Sequence, residues 1–221
     1  MKKVMICGYR DWSYELYSRL EYTYDCDMVY IDDKDFLESS IEEIKPDIIF
    51  FVGWSWIIKQ DIVDKYNCVC LHPSPLPKYR GGSPIQHQII NGEKESAVTL
   101  FKIDDGIDTG DILYQENFSL DGNLNDIFQR VIDIGVNGVC SILEDDCEVV
   151  KQNEEDSTTY KRRTKNMSEI EINDFQNYTA KDLYNKIRAL QNPYPNAFVR
   201  CKDNTKLFIT HTNLGEKIEN N

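Results

Sequence analysis

Asp47-Ile48-Ile49-Phe50-Phe51-Val52-Gly53 sets five apolar residues between a carboxylate and a glycine. The run does not alternate polar with apolar, so an extended chain here must be covered on both faces, the condition of a parallel strand between two helical layers. The neighbouring sequence agrees. Upstream, Lys3 to Gly8 is a short apolar run closed by the turn Gly8-Tyr9-Arg10-Asp11, and Leu16, Leu20 and Tyr24 then recur at helical spacing with Trp12. Met28 to Ile31 reads as a second strand and Phe36 to Ile44 as a helix. Downstream, Ile57 to Tyr66 reads as a helix and Cys68 to His72 as a strand. Strands alternating with helices at this spacing predict an α/β fold, a Rossmann-like doubly wound and mostly parallel sheet.

Further along, Pro84 to Asn91 reads as a helix closed by Gly92. Ser96 to Ile103 and Asp111 to Phe118 read as strands around the acidic turn Asp104-Asp-Gly-Ile-Asp-Thr-Gly110. Leu124, Ile127, Phe128, Val131, Gly135, Val139 and Ile142 mark a long amphipathic helix. The polar stretch Cys147 to Asp156 is taken as the end of a main domain, 1–150, leaving 151–221 as a short C-terminal α+β extension. The extension carries one helix begun by Thr179 with Asp182 three residues on, and a hairpin in Val199 to Thr210 around Asp203-Asn204. Thr212 to Asn220 is polar and expected to fray.

The chain has 221 residues and a formal net charge of −13. So acidic a surface argues against a phosphate backbone as main partner, while leaving room for a local basic pocket. No apolar run is long enough to span a bilayer, and the first one, ending at Gly8, is too short for a signal peptide. Seven cysteines at scattered spacings are expected to be free thiols in a reducing cytoplasm. No Gly-x-Gly-x-x-Gly follows the first strand, and neither a phosphate loop nor Gly-x-Ser-x-Gly occurs, which lowers the standing of nicotinamide enzymes, nucleotide hydrolases and α/β-hydrolases.

Chemistry concentrates in Cys68-Val-Cys-Leu-His-Pro-Ser-Pro-Leu-Pro-Lys-Tyr-Arg-Gly-Gly-Ser-Pro84. Four prolines make a poor core segment and a good rigid frame. It would hold His72 at the carboxyl end of a buried parallel strand, where ligands bind in open α/β sheets. A histidine there can equally be a turn cap, and the acidic turn can equally be only a turn. If Asp108 also sits at a strand end and meets His72, its carboxylate would orient the imidazole and raise its basicity. Cys68, Cys70 and His72 share one strand face, but ligands two apart on a strand suit a tetrahedral metal poorly, and no metal is expected.

These two motifs, His72-Pro-Ser-Pro-Leu-Pro-Lys-Tyr-Arg-Gly81 and Asp104-Asp-Gly-Ile-Asp-Thr-Gly-Asp-Ile-Leu-Tyr-Gln115, resemble the formyltetrahydrofolate-dependent formyltransferases. The likeness runs from about residue 45 to 210, and Arg188-Ala-Leu-Gln-Asn-Pro-Tyr-Pro-Asn-Ala-Phe198 resembles the segment after the catalytic domain in the tRNA and sugar members. The resemblance implies an enzyme in which a substrate amine attacks the formyl carbon of the co-substrate N10-formyltetrahydrofolate. It implies His72 as base and Asp108 as its partner. The family's third residue, an asparagine that donates to the formyl oxygen, is replaced here by Cys70, a weak donor. Losing an oxyanion donor can cost about 3–4 kcal/mol of barrier, so a working enzyme, a slow one and an inactive fold are all open. The resemblance also implies a pterin pocket from Trp56, Ile57 and Ile58 with Asp104, Asp105 and Gly106.

Among the members of that family, the resemblance implies as acceptor a nucleotide-linked amino sugar, a UDP- or dTDP-4-amino-4,6-dideoxyhexose of cell-surface polysaccharide biosynthesis, the chain looking most like the compact pseudaminic-acid-pathway members. Its contacts are expected from Tyr9, Arg10, Lys78, Arg80 and Tyr194. A catalytically impaired binding module and a formyltetrahydrofolate hydrolase are the alternatives. The expected partners are folate and the sugar nucleotide, with no nucleic acid and no membrane, a homodimer being left open.

Overall fold

The computed structural model describes residues 2–217. In chain order the elements are β1 (Lys3–Cys7), α1 (Asp11–Thr23), β2 (Asp27–Ile31), α2 (Leu37–Ile44), β3 (Ile48–Val52), α3 (Gln60–Lys65), β4 (Asn67–His72), β5 (Arg80–Gly81), α4 (Pro84–Ile90), β6 (Glu95–Lys102), β7 (Ile112–Ser119), α5 (Leu124–Leu143), β8 (Thr159–Tyr160), α6 (Asp174–Asn177), α7 (Ala180–Arg188), β9 (Ala197–Arg200) and β10 (Lys206–Ile209).

Six strands form one sheet in the order β2-β1-β3-β4-β6-β7. β2, β1, β3 and β4 pair in parallel, β6 is antiparallel to β4, and β7 is antiparallel to β6. All five residues of β3 are buried, as the opening run requires. Ile48, Phe50 and Val52 join the core that includes Leu16 and Leu20 of α1 and much of α5. Ile49 and Phe51 point the other way, onto Leu37 and Ile41 of α2 and Ile62 of α3. Each such side chain contributes roughly 1.5–3 kcal/mol by leaving water, which makes this strand the centre of the fold.

The α/β expectation therefore holds, with the parallel sheet finished by an antiparallel pair. α5 starts at Asn123, whose Oδ1 accepts from the amides of Asn125 and Asp126, while Asp126 accepts from the Asn123 amide. Its face packs on α1, where Arg19 pairs with Asp133. The helix expected over Ile57 to Tyr66 begins only at Gln60. Ile57 is 99% exposed and has no core to join, so Trp54 to Lys59 stay in a loop.

In the extension, Ile170, Leu183, Ile187, Leu190 and Ala197 build a small second core. Thr179 and Asp182 cap α7 reciprocally, and β9 and β10 form the expected hairpin, with Asp203 accepting from the Thr205 amide. Arg188 donates to the carbonyls of Leu120 and Gly122 and ties α7 to the main sheet. The end expected to fray, Thr212 to Asn220, lies partly outside the described residues. Among the described residues, no helix is long and apolar enough to cross a membrane.

Candidate active site

β4 ends at His72 because Pro73 cannot extend the ladder. His72 is buried at 6% exposure. Its Nε2 lies 2.8 Å from the carbonyl oxygen of Tyr79. A carbonyl only accepts, so Nε2 carries the proton and donates it. Nδ1 is then left with its lone pair and sits 3.6 Å from Oδ2 of Asp108. The ring can take a proton at one defined atom, and the imidazolium so formed would face a carboxylate.

Asp108 reaches this position by a route the sequence did not indicate. β6 is antiparallel to β4, with Thr99 opposite His72 and Lys102 opposite Val69, so the carboxyl end of β6 lies at the far end of β4 from His72. Residues 103–111 fold back past Cys70 to bring Asp108 to the imidazole. The expected meeting of two strand ends is thus corrected to a loop turned back along the strand. Asp108 has φ +55°, a left-handed conformation that aspartate tolerates better than most residues. Oδ2 accepts from the Gly81 amide at 2.7 Å. Gly81 has φ +90°, and a Cβ there would lie 2.3 Å from the Tyr160 carbonyl oxygen, so only glycine fits.

The loop is fixed from behind by Gln152. Its Nε2 donates to the carbonyls of Asp108 and Gly110 at 2.9 and 2.8 Å. Its Oε1 accepts from Nε and Nη2 of Arg80, and both Glu154 oxygens accept from Arg80 Nη1 and Nη2 at 2.9 and 2.7 Å. The hydrogen bonds that the guanidinium donates to Glu154, with the carboxylate charge adding to them, hold Arg80 above its usual pKa. Arg80 was expected to contact substrate. It is 4% exposed with its donors committed to Gln152 and Glu154, so it is a brace for the acidic loop. Gln152 and Glu154 were missed by sequence reasoning, because a polar stretch without periodicity carries no sign of what it touches.

The proline segment is equally tied down. Ser74 Oγ donates to the Lys78 carbonyl, Thr99 Oγ1 to the Ser74 carbonyl, and Gln115 Nε2 to the Leu76 carbonyl. β5 pairs with β8, and Tyr79 stacks on Tyr160 with centroids 4.9 Å apart. Lys78 stays exposed on its outer side.

Cys70 lies on the His72 face of β4, between Phe51 and Phe101 of the adjacent strands. Its Sγ–H makes only a weak contact with the Leu71 carbonyl, 3.7 Å away. Burial, reinforced by the Asp108 charge, pushes the thiol well above its ordinary pKa, so it is protonated at neutral pH. A thiolate nucleophile is not what this site provides.

Of the other expected contacts, Trp56, Ile57 and Ile58 lie in the β3–α3 loop with backbone outside any helix. Asp104 turns inward, accepting from the Gly106 amide and Thr109 Oγ1, while Asp105 and Gly106 face solvent. Tyr9 bonds Ser55 Oγ at 2.5 Å and lies 4.6 Å from Trp56. The Arg10 guanidinium stands over the Tyr9 ring at 4.6 Å and the Tyr194 ring at 5.6 Å. The structure thus gathers Tyr9, Arg10, Trp56 and Tyr194 beside one another, gathers His72, Asp108 and Cys70, and sets Arg80 apart.

A single free imidazole nitrogen facing a carboxylate, at the carboxyl end of a mostly parallel sheet, is the equipment of an enzyme that moves a proton while a group is transferred to a nucleophile. The chain belongs to the formyl transferase family, whose pattern matches residues 32–143. It is 35% identical over 77% of its length to the methionyl-tRNA formyltransferase of Clostridium tetani, of which it spans 56%. The solved methionyl-tRNA formyltransferase from Clostridium thermocellum superposes with a TM-score of 0.88 at 30% identity, covering 97% of this chain and 94% of that one. A 4-N formyltransferase from Francisella tularensis superposes at 0.74 with 21% identity, covering 98% and 99%.

These relatives overturn the expected acceptor. Likeness in sequence runs to methionyl-tRNA formyltransferases, whereas the 4-N formyltransferase shares the fold alone. The sugar-nucleotide acceptor, its place in polysaccharide biosynthesis and the exclusion of nucleic acid are withdrawn together. The exclusion rested on the net charge of the whole molecule, and that quantity says little about the charge beside a site. The chain spans just over half the length of the curated relative described above.

Proposed function

We propose that this chain transfers a formyl group from N10-formyltetrahydrofolate to a primary amine, the α-amine of methionyl-tRNA. The observation that carries the reading is His72 Nδ1, unprotonated in the neutral ring and 3.6 Å from Asp108 Oδ2. The amine nitrogen forms a bond to the formyl carbon, and the carbonyl electron pair moves onto oxygen. His72 Nδ1 takes the ammonium proton, and Asp108 stabilises the imidazolium. The oxyanion collapses, the bond from carbon to N10 breaks, and the proton goes to N10, leaving the N-formyl product and tetrahydrofolate.

The loop backbone at Trp56, Ile57 and Ile58 and the turn at Asp104, Asp105 and Gly106 are the surfaces proposed for the pterin. Cys70, kept as a thiol, supplies the oxyanion with a weak donor. The test is to incubate the protein with N10-formyltetrahydrofolate and methionyl-tRNA and follow tetrahydrofolate and formylmethionyl-tRNA together. Equal amounts of both, abolished by His72→Ala, are expected. Formate release in place of formylmethionyl-tRNA would refute the acceptor.

A further inference from the structure

An arginine with no acceptor needs an explanation in a chain of net charge −13. Of the eight arginines, six give their guanidinium protons to carboxylates, amides or carbonyls. Among the described residues, Arg10 and Arg162 show no such bond. These two share a neighbourhood. Arg10 lies over Tyr194, and the charges of Arg10 and Arg162 both act on the Tyr194 hydroxyl.

The setting is rigid. Trp12 stacks on Phe128 at 5.4 Å, Phe128 on Tyr194 at 6.1 Å, and Arg10 is held between Tyr194 and Tyr9. Aromatic faces attract the guanidinium without using its N–H groups, so the planar donor edge remains free and oriented. Gln86 adds a second sign of a missing ligand. It is 3% exposed and lies beside the Tyr194 hydroxyl, but its Nε2 meets hydrogen-bond geometry neither with that oxygen nor with any other acceptor among the described residues. A buried amide left unbonded destabilises the fold, and a ligand oxygen would relieve it.

The place is next to the chemistry. Tyr9 adjoins Trp56 on one side. On the other, Arg162 passes so close to Gly82 that a Cβ there would lie 2.4 Å from its Cα, and the preceding glycine is the one that holds Asp108. We propose that Arg10, clasped by Tyr9 and Tyr194, forms with Arg162 and Gln86 a subsite for a phosphate group of the acceptor. Two guanidiniums and an amide offer more donors than a carboxylate can take, and suit a tetrahedral oxyanion. The subsite deepens the acceptor reading above and rests on it for the identity of the phosphate, though not for the binding of one.

Inorganic pyrophosphate is the probe for the subsite itself, followed by tryptophan fluorescence or calorimetry. Wild-type protein is expected to bind it saturably, Arg10→Ala and Arg162→Ala to bind it at least about tenfold more weakly, and Arg10→Lys to fall between, since a lysine keeps charge but loses the fork. Circular dichroism checks that each variant is folded. The second arm compares methionyl-tRNA with methionyl-adenosine, which has the amine and ester but no phosphate. Arg10→Ala should lower kcat/KM for the first by about tenfold or more and for the second by less than about twofold. Pyrophosphate binding unchanged by Arg10→Ala and Arg162→Ala overturns the subsite, as does a rise confined to KM for N10-formyltetrahydrofolate. Absence of formylation of both amines refutes the proposed function, and the pyrophosphate arm still decides the subsite.

Discussion

At the scale of single residues, the site turns on which nitrogen of His72 holds the proton. The Tyr79 carbonyl fixes it at Nε2, so the base is Nδ1 by elimination. His72→Ala should lower kcat by about 10²–10⁴ with little change in folate binding, checked by steady-state kinetics and tetrahydrofolate titration. Cys70 makes the opposite prediction. Cys70→Asn restores an amide donor and should raise kcat by up to about 10²–10³ if the oxyanion limits the rate. An unchanged kcat would show that the thiol position does not touch the transition state. The raised thiol also predicts slow chemistry. At pH 8, iodoacetamide should label exposed Cys201 well before Cys70, read by peptide mass spectrometry.

At the scale of elements, the buried thiols of β1 and β4 both bear on the pH dependence, and β4 offers the test. Burial raises Cys68 from its ordinary 9.0 to about 12. The folded state therefore favours the neutral thiol. Its contribution is complete below pH 9 and is lost as pH rises from 9 towards 12, because only the unfolded chain ionises freely there. Denaturation midpoints measured from pH 7 to 11 should fall less steeply in Cys68→Val than in wild type. The brace behind the acidic loop gives a second measurement. Gln152→Ala removes acceptors and donors from Arg80, Asp108 and Gly110 at once, and should cost about 2 kcal/mol in urea unfolding together with a drop in kcat. The elements also show what a sequence can reveal. β1, β3 and β4 could be read because each is a compact apolar run. β5 and β8 have two residues apiece, which is too short for any period. His72 and Asp108 were legible as types at strand and turn. Their meeting was implied by the family resemblance, but the route to it was not legible, because it depends on β6 running against β4. Arg80 looked like a free cation, since its partners lie more than seventy positions away.

At the scale of the whole molecule, net charge proved a poor guide to function. The −13 is spread over an exterior rich in Asp and Glu, while the unpaired guanidiniums gather beside one site. The chain is also less separable than its composition suggests. The stretch Cys147 to Asp156, read from sequence as the end of a main domain, returns with the residues after it to the main sheet. Val150 bridges Ile112, Gln152 and Glu154 hold Arg80, and Thr159–Tyr160 pairs with Arg80–Gly81. A fragment ending at residue 150 should keep the strand core yet lose most of its kcat and unfold at lower denaturant, as circular dichroism and assay would show together.

That returning segment has a consequence in time. A ribosome makes His72 and Asp108 well before it makes Gln152 and Tyr160. A growing chain can thus display every reactive side chain while the acidic loop still wanders. Competence would come late and all at once, when the last few links of the brace emerge, so the enzyme's own assembly order keeps half-made copies idle.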